Sequence, residues 1–337
     1  MKLLLISSQG QPLLAVRQLA DRLRAGGMEV AVGGCAGADL PVDPHSLLSG
    51  DLARRVQGVG LLVAPAQVPA LLQTYRLACR LAGVPGAPVF SGPCEPLSGD
   101  RLASDLLHRL EVDLICLHGP GEEEEALDLL RGTRFAAKPL VQLGLWSRPA
   151  PASHHDRAGT AVFLEQQGLP DDPAGQEPLL RLLARLAAAS PSWKLLIQPT
   201  PASGGPDAGA AGGGLGDLIR QQPRRRWPPN LLALDPAEVE TTVARAEVCL
   251  TISSPWIFHA LAQGSRALVM GDYGIRARAN LPLFFGSGLI HQFSALASLD
   301  RLPRPGRPRR RWLVRQGWEI ADPTLPLRHA LSTLVRP

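Results

Sequence analysis

The chain is short of lysine, of aromatic rings and of long apolar runs. Only Lys2, Lys138 and Lys194 are lysines, so its positive charge rests almost wholly on arginine. Aromatic residues make up 4%, with two tyrosines and three methionines. No apolar stretch nears the roughly 18–20 residues that a membrane-spanning helix needs. The opening "MKLLLISSQGQP" carries a lysine and an apolar patch. That patch is too short for a secretory signal, and no small-residue cleavage site follows it, so it reads as a first buried strand. A cytoplasmic protein is expected. No CxxC pair occurs. Cys35, Cys79, Cys94, Cys116 and Cys249 stand singly, which argues against a zinc site or a disulfide framework and for small buried hydrophobes. No acid pair with metal-ligand spacing is visible. The stretch "SGGPDAGAAGGGLG" (203–216) has neither GxxxxGK[ST] nor fingerprint glycines beside a strand, so it reads as a loop rather than a phosphate cradle.

What is present fits a globular α/β chain. The 337 residues favour two domains, and 45% hydrophobic with 19% charged residues supplies two ordinary cores. The first half alternates strand-like and helix-like segments. "KLLLISS" precedes an amphipathic run from Leu13 to Leu23, and "MEVAVGG" and "GVGLLVAP" precede a helical run from Val68 to Leu81. "APVFSGP" is followed by a helix near Leu102–Leu110. "VDLICLHG" is followed by "EEEEALDLLRG", whose acids at 122–125 suit the positive end of a helix dipole. "KPLVQLGL" completes the half. Residues 147–159, "SRPAPASHHDRAG", break the periodicity and read as a linker. The alternation then restarts with "TAVFLEQ", a helix from Glu177 to Ala189, "WKLLIQP", "NLLALD" and a helix from Pro236 capped by Asp235. Strands alternating with helices imply parallel sheets covered on both faces. The expected domains are 1–146, a linker at 147–159, 160–300, and an Arg/Pro-rich segment with a C-terminal helix at 301–337 that can pack back on the first domain.

The stretch "LTISSPWIFHALAQG" (250–264) carries the most chemistry. An apolar run ends in two serines, Ser254 suits an N-cap, Pro255 suits the first helical position, and Gly264 suits a left-handed residue past the helix end. A strand–turn–helix of this kind presents backbone donors at the carboxyl edge of a sheet, where an anion such as phosphate can bind.

The order "AVFLEQQG", "KLLIQPTP", "LLALD", "CLTISSPWIFHALAQGSRALVMGDYG" resembles the nucleotide-sugar domain of two-domain glycosyltransferases, in the branch of bacterial sialyl-, polysialyl- and capsule-polysaccharide transferases. "PVFSGPCEP", "VDLICLHGPGEEE" and "GDYGIRARANLPLFFGSGLI" extend the likeness, over roughly residues 1–300, to an uncharacterised bacterial family of glycosyltransferase type. The resemblance implies two Rossmann-like doubly wound α/β domains facing across a cleft, the GT-B-like arrangement. It puts Ser253 and Ser254 on the donor phosphate, Gln198, Pro199 and Thr200 on the nucleotide, and Gln166, Gln167 and Gly168 at the cleft. Asp272 and Gly274 would border the sugar pocket. Thr200 stands where relatives often carry histidine, and His259 where they commonly carry a glutamate that accepts from ribose hydroxyls; neutral histidine still accepts one such bond.

Sugar transfer needs a base for the acceptor hydroxyl. His118, at the end of "DLICLHG", is the first candidate, with Asp100 and Glu95 as rivals; each also reads as an ordinary satisfied polar group. The implied reaction is metal-independent and inverting, without a cofactor beyond the nucleotide-sugar substrate, toward a glycan or lipid-linked acceptor. A catalytically degenerate protein that binds nucleotide or glycan is the alternative, and a nucleotide-sugar epimerase of similar architecture a further one. Seven arginines fall in "RLPRPGRPRRRWLVR" (301–315). They read chiefly as a solvated surface segment, with peripheral contact to an anionic membrane face as the functional option and no motif for specific nucleic acid.

Overall fold

The structure is a computed structural model. It describes residues 1–8, 11–146, 159–166, 173–198, 214–221, 226–274, 280–302 and 308–334. The chain divides into two compact units, Met1–Arg148 with Arg310–Pro337, and Pro149–Arg309.

In the first unit, β1 (Lys2–Ser7), β2 (Glu29–Gly33), β3 (Gly58–Leu62), β4 (Val89–Ser91), β5 (Leu114–Leu117) and β6 (Leu140–Gln142) form one sheet in the order β2-β1-β3-β4-β5-β6. Every pairing is parallel. Strand β1 shows why. Leu3 and Leu5 enter the apolar cluster on one face and Leu4 and Ile6 the cluster on the other, so both faces must be covered. Phe90 of β4 fills the space that β3 leaves free: a side chain at Gly60 would strike both the Phe90 ring and Leu5. The helices α1 (Gln11–Ala25), α2 (Pro44–Ser49), α3 (Asp51–Arg54), α4 (Val68–Leu81), α5 (Gly99–Leu107) and α6 (Pro120–Leu130) supply the cover. The short α2 is not visible in the apolar periodicity. It begins because the Asp43 carboxylate accepts from the Ser46 N–H ahead of Pro44 at the first turn.

In the second unit, β7 (Thr160–Leu164), β8 (Lys194–Gln198), β9 (Leu231–Ala233), β10 (Val248–Thr251), β11 (Arg266–Met270) and β12 (Ile290–His291) form a second parallel sheet in the order β12-β11-β10-β7-β8-β9. Its helices are α7 (Pro173–Ala188), α8 (Leu215–Gln221), α9 (Val239–Arg245) and α10 (Trp256–Ala262). The expected helix after Asp235 starts as a 3-10 turn at Pro236–Glu238 before α9, and the Asp235 side chain does accept from the Ala237 N–H.

The last two helices, α11 (Arg310–Arg315) and α12 (Thr324–Leu334), belong to the first unit. Leu327 and Leu331 of α12 are fully buried in its core. Arg22 of α1 fastens the intervening chain: its guanidinium donates to the carbonyls of Leu145 (2.7 Å), Ile320 (2.8 Å) and Ala321 (3.1 Å). Gly317, at φ +77°, runs so close to the His118 carbonyl that a side chain there would collide with it.

Candidate functional site

Strand register brings the polar residues of the second unit together. Thr251 pairs with Leu164, and Leu164 with Gln198, so β10, β7 and β8 end side by side. Ser253 and Gln166 each lie two residues beyond that row. The Ser253 hydroxyl donates to Gln166 Oε1. Gln198 is 3% exposed and its Oε1 has no hydrogen-bond partner among the described residues. His259, on α10, is 1% exposed, and both of its ring nitrogens are without a partner among the described residues. The Trp256 ring lies edge-on to it at 5.2 Å. Burial pushes the His259 imidazole down to about 4, so at neutral pH the ring is uncharged, with one nitrogen donating and one accepting. Four of the anticipated site residues, Gln166, Gln198, Ser253 and His259, thus belong to one carboxyl edge and the helix that follows it.

Two features of the stretch 250–264 differ from expectation. Ser254 does not cap α10 through its side chain; Pro255 holds the cap position and no side-chain cap bond forms. The Thr251 hydroxyl accepts from the Ser254 N–H (2.8 Å) and donates to the Leu164 carbonyl (3.0 Å), which fixes the turn ahead of α10. Ser253 and Ser254 are also buried, at 1% and 2% exposure, rather than open at a surface. The far end of α10 is as anticipated: Gly264 has φ +83°, and the Ser265 N–H reaches the Ala260 carbonyl at 2.9 Å.

Asp272 has a fold-holding task. Its carboxylate accepts from the N–H groups of Phe293 (2.7 Å) and Ser294 (2.8 Å). Burial alone would raise its pKa, but these bonds outweigh burial and hold it below the usual carboxylate range. Gly274, at φ +69°, is exposed and faces open space. Thr200 and Gly168, with Pro199 and Gln167, lie outside the described residues. Glu165, not singled out from sequence, is 7% exposed and accepts from the Leu215 N–H (2.6 Å) at the start of α8.

In the first unit the three candidate bases fare differently. Asp100 is exposed in the first turn of α5. Glu95 keeps a quarter of its side chain exposed and pairs with Arg101 at 3.1 Å. Burial pushes the Glu95 carboxyl up against the lowering effect of Arg101, and the nearby His118 is among the groups that act on it. His118 itself is 1% exposed, packed against the fully buried Trp146 with ring centroids 5.0 Å apart. Its Nδ1 lies 3.0 Å from Glu122 Oε2, and its Nε2 has no partner among the described residues. Beside this corner sits a second buried pair. Arg109, 1% exposed, makes two bonds to Asp105 (2.5 and 3.0 Å), one to the Ser91 hydroxyl (2.6 Å) and one to the Val63 carbonyl (3.2 Å).

The acid run at 122–125 is more than a complement to the helix dipole. Glu122 turns inward to the His118 and Leu97 N–H groups, Glu123 accepts from Gln142, Glu124 pairs with Arg315, and Glu125 accepts from the Gly99 N–H. In the arginine-rich segment, residues 303–307 lie outside the described residues, and Arg310 and Arg315 are ion-paired with Glu319 and Glu124. No helix among the described residues is long and apolar enough to cross a membrane.

Among solved structures, the chain is similar to the UDP-N-acetylglucosamine 2-epimerase of Rickettsia bellii (TM-score 0.61, 10% identity, covering 99% of this chain and 96% of the other). It is similar also to the UDP-GlcNAc 2-epimerase of Methanocaldococcus jannaschii (0.57, 10%, 98% and 99%) and to S. aureus MnaA in complex with UDP (0.56, 13%, 99% and 95%). These likenesses establish the two-sheet α/β fold. No curated protein sequence matches the chain. A family model, by contrast, spans residues 16–331, and the chain belongs to the family it describes, "Putative glycosyltransferase (DUF6716)".

Proposed function

We propose that the chain transfers a sugar from a nucleotide-sugar donor to a glycan or lipid-linked acceptor, without metal and with inversion at the sugar carbon. The observation that carries this reading is a polar set at the carboxyl edge of the second sheet: buried Gln198 and His259, whose Oε1 and ring nitrogens have no partner among the described residues, beside the Ser253–Gln166 hydrogen bond. Parallel α/β sheets bind ligands at that edge, and a buried acceptor without a donor costs about 1–3 kcal/mol unless something completes it. A nucleotide offers what these groups lack. Ribose hydroxyls and base N–H groups donate to Gln198 Oε1 and to the bare nitrogen of a neutral His259, and a phosphate accepts from the Ser254 hydroxyl and, in exchange for its bond to Gln166, from that of Ser253. Proton removal from the acceptor is assigned to Glu95. It is the member of the His118–Glu95 corner that solvent reaches, and burial raises its carboxyl toward the operating pH, as a general base requires.

The test is a melting scan against CMP, UDP, GDP and their sugars, with uridine nucleotides first because the S. aureus neighbour holds UDP. One nucleotide family should raise the melting temperature, and its sugar should be hydrolysed slowly without acceptor and transferred quickly with it. Glu95→Gln should lower transfer by about 10²–10⁴-fold while leaving the nucleotide-induced shift intact. No shift with any nucleotide removes the reading; a shift without turnover leaves a binding protein. A second reading, epimerisation of the nucleotide sugar, draws on the names of the structural neighbours. It would show as an isomerised sugar still attached to its nucleotide, with no need of an acceptor.

A further inference from the structure

One buried carboxylate in the first unit has three donors on it. Glu122, 6% exposed in the first turn of α6, accepts from the Leu97 N–H through Oε1 (2.9 Å). Its Oε2 accepts from the His118 N–H (2.6 Å) and lies 3.0 Å from His118 Nδ1. A carboxylate can only accept, so Nδ1 carries a proton, and in the neutral ring Nε2 is then bare. Leu97 stands two residues after Glu95, on the loop that joins β4 to α5. The next acid of the same helix that faces this loop, Glu125, takes the Gly99 N–H at 2.8 Å. The loop is fixed at its start as well: Gly92 passes so near the Cys116 carbonyl that any side chain there would collide with it. Trp146 packs against the imidazole, its own Nε1 buried and without a partner among the described residues.

We infer that Glu122 is the positioning residue of the proton-transfer corner: it sets the tautomer of His118 and the loop that carries Glu95 at the same time. This rests on the reading that Glu95 removes the acceptor proton. Glu122 touches neither donor nor acceptor; it acts through the two groups it holds. Its amide counterpart could not replace it, because a glutamine has one accepting oxygen for three donors and turns its own N–H₂ toward the rest. The tautomer that Glu122 imposes leaves Nε2 as an acceptor.

The experiment is ¹⁵N NMR of the histidine rings in the full chain, with the His118 signals assigned by His118→Asn. At neutral pH the wild-type spectrum should show His118 protonated at Nδ1 and bare at Nε2. In Glu122→Gln that signature should give way to the other tautomer or a mixture. In the same variant, transfer should fall about 10²-fold in kcat while KM for the donor and the nucleotide-induced melting shift stay as they are. Glu122→Asp, which keeps the charge but shortens the reach by one methylene, should recover the tautomer only in part. A wild-type His118 protonated at Nε2 overturns the inference without recourse to any variant. So does a folded Glu122→Gln protein with unchanged tautomer and unchanged kcat. The two readings separate cleanly. If Glu95→Gln transfers normally, the base assignment fails, and the NMR result still judges what Glu122 does to His118.

Discussion

The two sheets are alike in strand number and direction, but their carboxyl edges handle buried polarity in opposite ways. At the first, charge is matched within the unit. Arg109 is met by Asp105, Ser91 and the Val63 carbonyl, and Glu122 by Leu97 and His118, while the ring nitrogens His118 Nε2 and Trp146 Nε1 have no partner among the described residues. At the second edge the one buried carboxylate, Glu165, is met by the Leu215 N–H, and the groups left unmet are neutral. Gln198 and His259 are buried to a similar degree, yet three of their polar atoms, Gln198 Oε1 and both His259 nitrogens, have no partner among the described residues. Folding gains nothing from an unbonded buried amide or imidazole, since a Met or Leu of similar volume would fill the space at lower cost. The contrast separates polarity that serves the fold from polarity held ready for a ligand.

The largest effect expected from this contrast lies at the matched edge. Asp105→Ala leaves the Arg109 guanidinium buried with half its bonds gone, and breaking a buried pair from one side costs about 3–5 kcal/mol. Urea denaturation should show a loss of that size, and a variant within about 1 kcal/mol of wild type would mean that the first edge is no more committed to folding than the second.

Next comes His259. Its folded pKa, about 4, lies below the ordinary value near 6.5, so the unfolded chain binds the proton first as pH falls. The stability of the neutral, buried ring is complete above about pH 6.5 and is lost as pH drops toward 4, by about 3 kcal/mol for a shift of this size. His259→Leu should remove this part of the acid sensitivity and leave the rest of the pH profile. A profile identical to wild type between pH 4 and 6.5 would show that His259 is hydrated or partnered in solution, and the second edge would then lose its clearest orphan.

Much of this architecture could be read from residue order. The run Val68–Leu81 is helical over just those residues, and the doubly covered strands follow from near-continuous apolar segments such as Leu3–Ile6. Polar assignments were less legible, for one physical reason: they depend on which distant donor arrives. An acid in the first turn of α6 looks like a dipole complement whether it points out, as Glu124 does toward Arg315, or in, as Glu122 does toward Leu97, 25 residues away in sequence. Ser254 has the composition of a cap, but the helix starts one residue later, with Pro255 at the cap position. Glu165 sits unremarked in "LEQQG" until the start of α8 folds over and donates the Leu215 N–H to it, 50 residues on. The strand β12, two residues long, carries no periodicity at all.

The smallest expected effect is the sharpest, because it predicts opposite signs for stability and binding. Gln198→Met keeps the length and nearly the volume of the side chain but removes an oxygen that no donor meets. Relieving one unbonded buried acceptor should stabilise the unliganded protein by about 1 kcal/mol, where the same kind of change at Glu122 or Asp105 destabilises. The nucleotide that raises the melting temperature of the wild type should raise that of the variant much less, since its donor then faces a thioether. A more stable protein that binds less well marks Gln198 as held for a ligand. If the variant is instead less stable, Oε1 serves the fold after all, and the difference between the two edges is one of charge alone.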